Sequence, residues 1–220
     1  MVNNHYWDIA QEFKSQIELI LKTIFNINEN KLTLTLNNTN LISKEGSCCA
    51  NSSVLGFLLE EFVFQQLKLA SHNSNFTIFH SENIQNCSYD FTSIFKNQKF
   101  LINFKVTQGN NNAVACLRQL VNDYIKESDY QLHFMVIKLE YEIDLQLQKI
   151  IIKNLNSYFL EQIDFSNEFK CDKRRWSENQ TSNLSGRLQV SNNFLQTHQK
   201  NETDISYEST RESFLTILNN

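Results

Sequence analysis

Three polar residues on two neighbouring strand-like runs could do chemistry together. Asp90 heads the first run, and Asn103 and Lys105 lie on the second run, residues 100–107, after a polar turn at residues 96–99. Successive side chains of a strand point to opposite faces, so Asn103 and Lys105 share one face. Burying an acid, an amide and a lysine costs several kcal/mol unless something pairs them. The hairpin therefore predicts a bound metal or a bound substrate.

An Asp, a connecting turn and then an acid-x-Lys on the next strand resembles the core of the PD-(D/E)XK nucleases. This superfamily includes the type II restriction endonucleases and related repair nucleases. Asp90 matches the first acid and Lys105 matches the lysine, whereas Asn103 stands where the family has Asp or Glu. The resemblance covers about residues 54–143.

The helix before the hairpin in this family often carries a G-x-x-x-E pattern whose Glu serves the metal site. Gly56 and Glu60 match that spacing, and Glu61 is the less favoured candidate beside it. The alternative is that both glutamates face water.

The resemblance implies a magnesium-dependent phosphodiesterase. Carboxylates would hold Mg²⁺ against a phosphate oxygen, and the ion would lower the pKa of a bound water. Asp90 would be the principal ligand and Glu60 the second, while Lys105 would serve the attacking water. Asn103 could coordinate through its amide oxygen, without the negative charge that strengthens Mg²⁺ binding.

Asn103 leaves three interpretations open. It could be a natural variant whose missing charge Glu60 supplies. It could be an engineered substitution that traps a substrate complex. The third possibility is an inactive nuclease fold that only binds DNA.

The order of the predicted elements agrees with the nuclease core. Apolar periodicity predicts helices over residues 6–25, 53–69 and 113–125, and strands over 31–36, 76–80, 131–143 and 149–160, with turn-rich breaks at 37–53 and 109–112. His133 falls in the buried strand and is expected to be a satisfied core residue. We therefore predict a single domain, residues 1–220, with an α/β restriction-endonuclease-like fold: a mixed central sheet flanked by helices.

Residues 165–190 are polar, basic and aromatic, which is typical of a DNA-recognition segment. Arg, Lys, Asn and Gln side chains contact base edges and phosphates. The alternative is an ordinary solvated loop. The expected DNA-binding residues are Lys173, Arg174, Arg175, Asn179, Gln180, Arg187 and Gln189. The chain then becomes acidic and ends in an apolar patch at residues 214–218, which predicts a packing helix.

The composition narrows the classes of protein to which the chain could belong. The hydrophobic fraction of 41% is ample for a core, and the five Cys form no C-x-x-C pair, which suits a reduced cytoplasm. No apolar run could act as a secretory signal or cross a bilayer, so no membrane partner is expected. The net charge of −4, with local basic stretches, suits a sequence-selective DNA binder better than a non-specific coat protein.

Together these observations predict a type II site-specific deoxyribonuclease that uses Mg²⁺ and cleaves double-stranded DNA. Palindromic sites are read by two-fold symmetric proteins, so a homodimer is expected, with a cognate DNA methyltransferase in the host. The alternative is a catalytically inactive or repair-type nuclease-fold protein that binds DNA. No phosphate-binding loop, dinucleotide fingerprint or nucleophile elbow competes with this interpretation.

Overall fold

The computed structural model describes residues 5–25, 33–35, 52–81, 89–107, 113–144, 149–164, 169–170, 181–184, 187–190 and 192–219. The helices are α1 (His5–Phe25), α2 (Ser52–Ser71), α3 (Leu117–Lys126), α4 (Asn192–Thr197) and α5 (Tyr207–Asn219). The strands are β1 (Thr33–Thr35), β2 (Phe76–His80), β3 (Phe91–Phe95), β4 (Gln98–Thr107), β5 (Ala113–Cys116), β6 (Gln131–Asp144), β7 (Lys149–Phe159), β8 (Phe169–Lys170), β9 (Thr181–Leu184) and β10 (Arg187–Val190). Among the described helices, none is long and apolar enough to cross a membrane.

The central sheet is mixed, with the strand order β1-β7-β6-β4-β3-β2. β4 and β6 run parallel, and every other neighbouring pair in this sheet is antiparallel. Parallel neighbours need a long crossover, and here β5 and α3 provide it. The predicted mixed α/β architecture is thus confirmed.

One face of the sheet is covered by α1 and α2. The apolar residues of α1 recur at helical spacing, so one stripe of that helix is buried against β4, β6 and β7. Phe13 of α1 stacks on Phe100 of β4 with ring centroids 4.0 Å apart. Ile102 and Phe104 continue the same row of β4 into this core.

The opposite face of the sheet is covered by α3 and α5. Leu101 of β4 and Phe134 of β6 pack there against Tyr124 of α3 and Phe214 of α5. The rings of Tyr124 and Phe214 meet edge to face, 5.1 Å apart. The apolar patch expected at the C-terminal end of the sequence is therefore a packing helix.

β7 carries a bulge that changes which side chains face each core. Glu140 pairs with Asn154, but the next residue of β6, Tyr141, pairs with Ile152, so Lys153 is the extra residue. A bulge of this kind places two residues of one strand opposite one residue of its partner. As a result Ile152 and Leu155 both pack into the α1 and α2 core.

The predicted helix over residues 113–125 is wrong in its first turn. Ala113–Cys116 forms β5, which pairs antiparallel with β10, and the helix begins only at Leu117. The backbone ladder to a strand distant in sequence outweighs the helix propensity of the two alanines, as tertiary context often does. β5, β10, β9 and β8 form a second sheet, so part of the predicted DNA-recognition segment is strand rather than loop.

His133 is fully buried, as expected, and it belongs to a polar network inside the core. Its ring stacks on Tyr6 with centroids 4.1 Å apart, and Nε2 lies 2.7 Å from Gln98 Oε1. Its Nδ1 lies 3.4 Å from Oε1 of Glu161, which also accepts hydrogen bonds from Phe134 N–H and the Tyr124 hydroxyl. Burial lowers the pKa of His133, so the neutral imidazole is favoured.

Candidate active site

A tight hairpin turn sets the register that assembles the site. β3 and β4 are joined by Lys96 and Asn97 alone, and both have positive φ angles, 47° and 60°. Two left-handed residues in succession define the two-residue hairpin turn whose twist matches the strands. The turn was predicted over residues 96–99, but Gln98 already pairs with Phe95. The two-residue connection therefore fixes which residues of β4 come level with Asp90.

Asp90 lies directly before β3 and is held by the backbone of β4. Its N–H donates to the carbonyl of Ile102 at 2.9 Å, and its Oδ2 accepts the N–H of Phe104 at 2.7 Å. A carboxylate that accepts a backbone N–H is fixed in position. Asp90 therefore has a defined orientation at the N-terminal end of β3, against the backbone of β4.

Lys105 reaches the same carboxylate. Its Nζ lies 3.7 Å from Asp90 Oδ2, and both side chains remain partly accessible to solvent. Asn103 lies two residues earlier on β4 and is almost fully buried. The hairpin thus brings together Asp90 and Lys105, with Asn103 on the strand between them, as the alternation of side chains predicts.

Glu60 comes to this group from α2. Leu59 and Val63 of α2 are buried against the sheet, which leaves Glu60 half-buried beside them. Burial raises the pKa of Glu60 to about 7, repulsion from Asp90 adds to the rise, and the Lys105 ammonium opposes it. The mutual influence of these three charges places Glu60 in one electrostatic group with Asp90 and Lys105.

Asp90 shows the same balance of effects. Burial raises its pKa, while the Lys105 ammonium and the N–H of Phe104 oppose the rise. Two carboxyls with raised pKa values therefore lie beside one lysine. Raised pKa values mean that ionising these two carboxyls is less favourable here than in water. Carboxyls with such shifted pKa values are common in functional sites.

Glu61 is exposed and binds His80 rather than a residue of the hairpin. His80 Nε2 donates a hydrogen bond to Glu61 Oε2 at 3.1 Å, and Gln65 Nε2 donates to Glu61 Oε1 at 2.7 Å. These hydrogen bonds lower the pKa of Glu61. Of the two candidate glutamates, Glu60 is thus the one whose pKa responds to the charges of Asp90 and Lys105.

Sequence reasoning missed His80. It ends β2 and pairs with Phe91, the residue after Asp90, and its ring adds to the effects that oppose the burial-driven rise in the pKa of Asp90. It also packs against the ring of Phe64, with centroids 3.5 Å apart. His80 becomes a neighbour of Asp90 only because β2 pairs with β3. A polar connection separates the two strands in the sequence, so their pairing could not be predicted from it.

Asp90 and Glu60 are the described carboxyls that could hold a magnesium ion. Among the described residues, no three His, Cys, Asp or Glu side chains come close enough to form a metal site by themselves. Mg²⁺ in phosphate-transfer sites is commonly bound by one or two carboxylates together with waters and substrate phosphates. Asp90 and Glu60 supply two such carboxylates, and Asn103 supplies an amide oxygen or amide hydrogens.

The predicted DNA-binding residues are only partly located. Lys173, Arg174, Arg175, Asn179 and Gln180 lie outside the described residues. Arg187 and Gln189 belong to β10, where Arg187 pairs with Cys116 of β5 at the start of α3. The second sheet therefore carries these two positions next to the crossover that follows β4.

Comparison with known proteins gives a distant structural likeness. No family model matches the chain, and no curated protein matches it by sequence. Among solved structures, the NlaIV restriction endonuclease is similar with a TM-score of 0.47 and 12% identity, over 94% of this chain and 85% of that one. A likeness this distant does not decide the fold family.

Proposed function

We propose that this chain is a PD-(D/E)XK-type nuclease that hydrolyses phosphodiester bonds of double-stranded DNA, as a type II restriction endonuclease does. The observation that carries the proposal is the group formed by Asp90, Glu60 and Lys105. The hairpin sets Lys105 Nζ 3.7 Å from Asp90 Oδ2, and α2 adds a second half-buried carboxyl with a raised pKa. Acid and lysine in this order on adjacent strands also match the sequence motif.

Asp90 and Glu60 would hold the Mg²⁺ ion, with Asn103 as a neutral neighbour. When bound, the ion would polarise the phosphodiester and lower the pKa of a bound water. The two half-buried carboxyls favour a bound cation because it compensates charge that burial makes costly.

Lys105 would act as the catalytic cation. Its Nζ is tethered near Asp90 yet is partly exposed, so it can donate hydrogen bonds to a phosphate oxygen or to the attacking water. A donor and a positive charge fixed beside the developing negative charge stabilise the transition state. The N–H of Phe104 holds Asp90 in place while this occurs.

The wider proposal includes partners. A type II enzyme that reads a palindromic site would act as a homodimer, and the host would protect its own DNA with a cognate methyltransferase. Arg187 and Gln189 of β10 are the described candidates for DNA contacts.

A second candidate function is DNA binding without cleavage, because Asn103 is neutral where the motif has an acid. Incubation of supercoiled plasmid with the protein, in Mg²⁺ and in EDTA, separates the two. Discrete fragments with Mg²⁺ alone support the restriction endonuclease, and smearing supports a repair-type nuclease. Intact plasmid with a gel shift supports the binder.

The site assignment is tested by two substitutions with matched controls. Asp90→Asn keeps an acceptor for Phe104 N–H but removes the charge, and Lys105→Met keeps the alkyl chain. Each should abolish cleavage and leave a folded protein. Asp129→Asn and Lys153→Met make the same charge changes at exposed positions and should cleave like the parent. Cleavage by Asp90→Asn at the parent rate would contradict the assignment.

A further inference from the structure

His80 is held in one orientation by three neighbours. Its Nε2 donates a hydrogen bond to Glu61 Oε2 at 3.1 Å. Its ring packs against Phe64 with centroids 3.5 Å apart and meets the ring of Phe91 edge to face, with centroids 5.8 Å apart. A side chain that is fixed by packing and hydrogen bonding on regular elements has the preorganisation that a catalytic group needs.

Glu61 is itself held in place. Its Oε1 accepts a hydrogen bond from Gln65 Nε2 at 2.7 Å, so each oxygen of the carboxylate has a partner. These hydrogen bonds lower the pKa of Glu61, which favours its ionised form. Gln65, Glu61 and His80 therefore form a chain in which each member orients the next, as the partners of an activated catalytic group do.

This chain decides which nitrogen of the His80 ring carries the proton. An ionised carboxylate only accepts hydrogen bonds, so Nε2 must be the protonated nitrogen of the neutral ring. The lone pair of Nδ1 is then available. The side chain of His80 is 41% exposed, and no described residue forms a hydrogen bond with Nδ1. His80 can therefore accept a proton from a molecule that enters from solvent.

His80 also lies next to the candidate active site. It pairs with Phe91, the residue after Asp90. The N–H of the residue that follows it, Ser81, donates to the carbonyl of Asp90 at 3.2 Å. The charge of His80 opposes the rise in the pKa of Asp90. The ring thus belongs to the same part of the molecule as the principal acid of the site.

The roles assigned so far leave the attacking water without a proton acceptor. Asp90 and Glu60 are assigned to the metal ion, and the ammonium of Lys105 carries hydrogen-bond donors only. A water that attacks phosphorus must lose a proton, and a side chain placed to take that proton accelerates the step. His80 has the available nitrogen for this task.

We propose that His80 is the general base of the reaction, with Glu61 and Gln65 as its positioning residues. The inference rests on the proposed function and adds a step to it. Nδ1 takes a proton from the attacking water while the water oxygen bonds to phosphorus. The bond between phosphorus and the leaving oxygen breaks, and that oxygen takes a proton from solvent. His80 then releases its own proton to solvent, which restores the starting state.

Cleavage of supercoiled plasmid with Mg²⁺ under single-turnover conditions tests the proposal. His80→Phe keeps an aromatic ring against Phe64 but has no nitrogen. It should slow cleavage by at least about 100-fold, the lower end of general-base effects. It should bind a fluorescein-labelled duplex in EDTA like the parent. Glu61→Gln should slow cleavage by about tenfold or more, because an amide can also donate to Nε2 and so favour the tautomer in which Nδ1 carries the proton.

Chemical rescue separates a base from a structural residue. His80→Ala leaves a space the size of an imidazole, so imidazole added to the buffer should restore part of its cleavage rate. Imidazole should not accelerate His80→Phe, whose ring fills that space. His72→Phe makes the same change at an exposed histidine directly after α2 and should cleave like the parent.

The outcomes separate this inference from the proposed function. If the parent cleaves plasmid but His80→Phe cleaves equally fast, or if imidazole does not accelerate His80→Ala, the general base is refuted while the nuclease proposal stands. Loss of affinity for the duplex in His80→Phe would also overturn it, because His80 would then act in binding or folding. If the parent does not cleave plasmid with Mg²⁺, both proposals fail together.

Discussion

The raised pKa of Glu60 predicts that its neutral form stabilises the metal-free protein. Burial and the nearby Asp90 raise this pKa from 4.5 to about 7. Between these two values the folded state binds more protons than the unfolded state, so stability falls as the pH rises through this window and is constant above it. Glu60→Gln removes that dependence, because the amide cannot ionise.

The size of the effect follows from the shift. At 1.36 kcal/mol per pH unit, a pKa of about 7 against 4.5 corresponds to roughly 3 kcal/mol if carried in full. Glu60 is only half-buried, so solvent screening reduces this to about 1 kcal/mol. For a chain of this size, 1 kcal/mol corresponds to roughly 2–4 °C in the unfolding midpoint.

Urea unfolding in EDTA at pH 4.5 and at pH 8 measures the prediction. Glu60→Gln should gain about 1 kcal/mol over the parent at pH 8 and close to nothing at pH 4.5. Glu61→Gln is the matched control, because hydrogen bonds from Gln65 and His80 lower the pKa of Glu61. Its carboxylate contributes stability above its unfolded pKa, so the control should lose stability at pH 8. A Glu60→Gln protein with no advantage at pH 8 would refute the electrostatic coupling of α2 to the hairpin.

Three other outcomes are expected. Asn103→Asp should raise Mg²⁺-dependent cleavage at least about tenfold, since the ion is the largest local charge; a rate no higher than the parent's assigns the missing charge to Glu60. Glu161→Gln should cost about 1–3 kcal/mol in urea unfolding, because the buried carboxylate serves Phe134 N–H and the Tyr124 hydroxyl; unchanged stability means that an amide serves equally well. Arg187→Ala should flatten the slope of log K against log salt for DNA binding by about one if Arg187 contacts a phosphate. If the variant binds and cleaves DNA like the parent, Arg187 makes no contact with DNA.

Much of the fold could be predicted because its signals are local. The apolar spacing of α1 and the continuous apolar run of β6 each identify an element without knowledge of its neighbours. The relation between Asp90 and Lys105 was also accessible, since alternation along β4 and one short turn suffice to bring them close.

The rest depends on pairings between distant segments. Ala113–Cys116 forms a strand only because β10 pairs with it, and nothing in its four residues indicates that partner. The turn predicted over residues 96–99 is two residues too long, because Lys96 and Asn97 adopt left-handed angles although neither is a glycine. His80 joins the site through the pairing of β2 with β3.

The bulge at Lys153 has a consequence for how this gene can tolerate change. Ile152 and Asn154 pair with successive residues of β6, Tyr141 and Glu140, so Lys153 has no partner of its own in the ladder. Loss of the Lys153 codon would therefore close the bulge into a regular ladder in which Ile152 and Leu155 keep facing the core beneath α1. Loss of Asn156, an exposed residue outside the bulge, would instead reverse the facing of a stretch of β7. We expect deletion of Lys153 to be tolerated far better than deletion of Asn156.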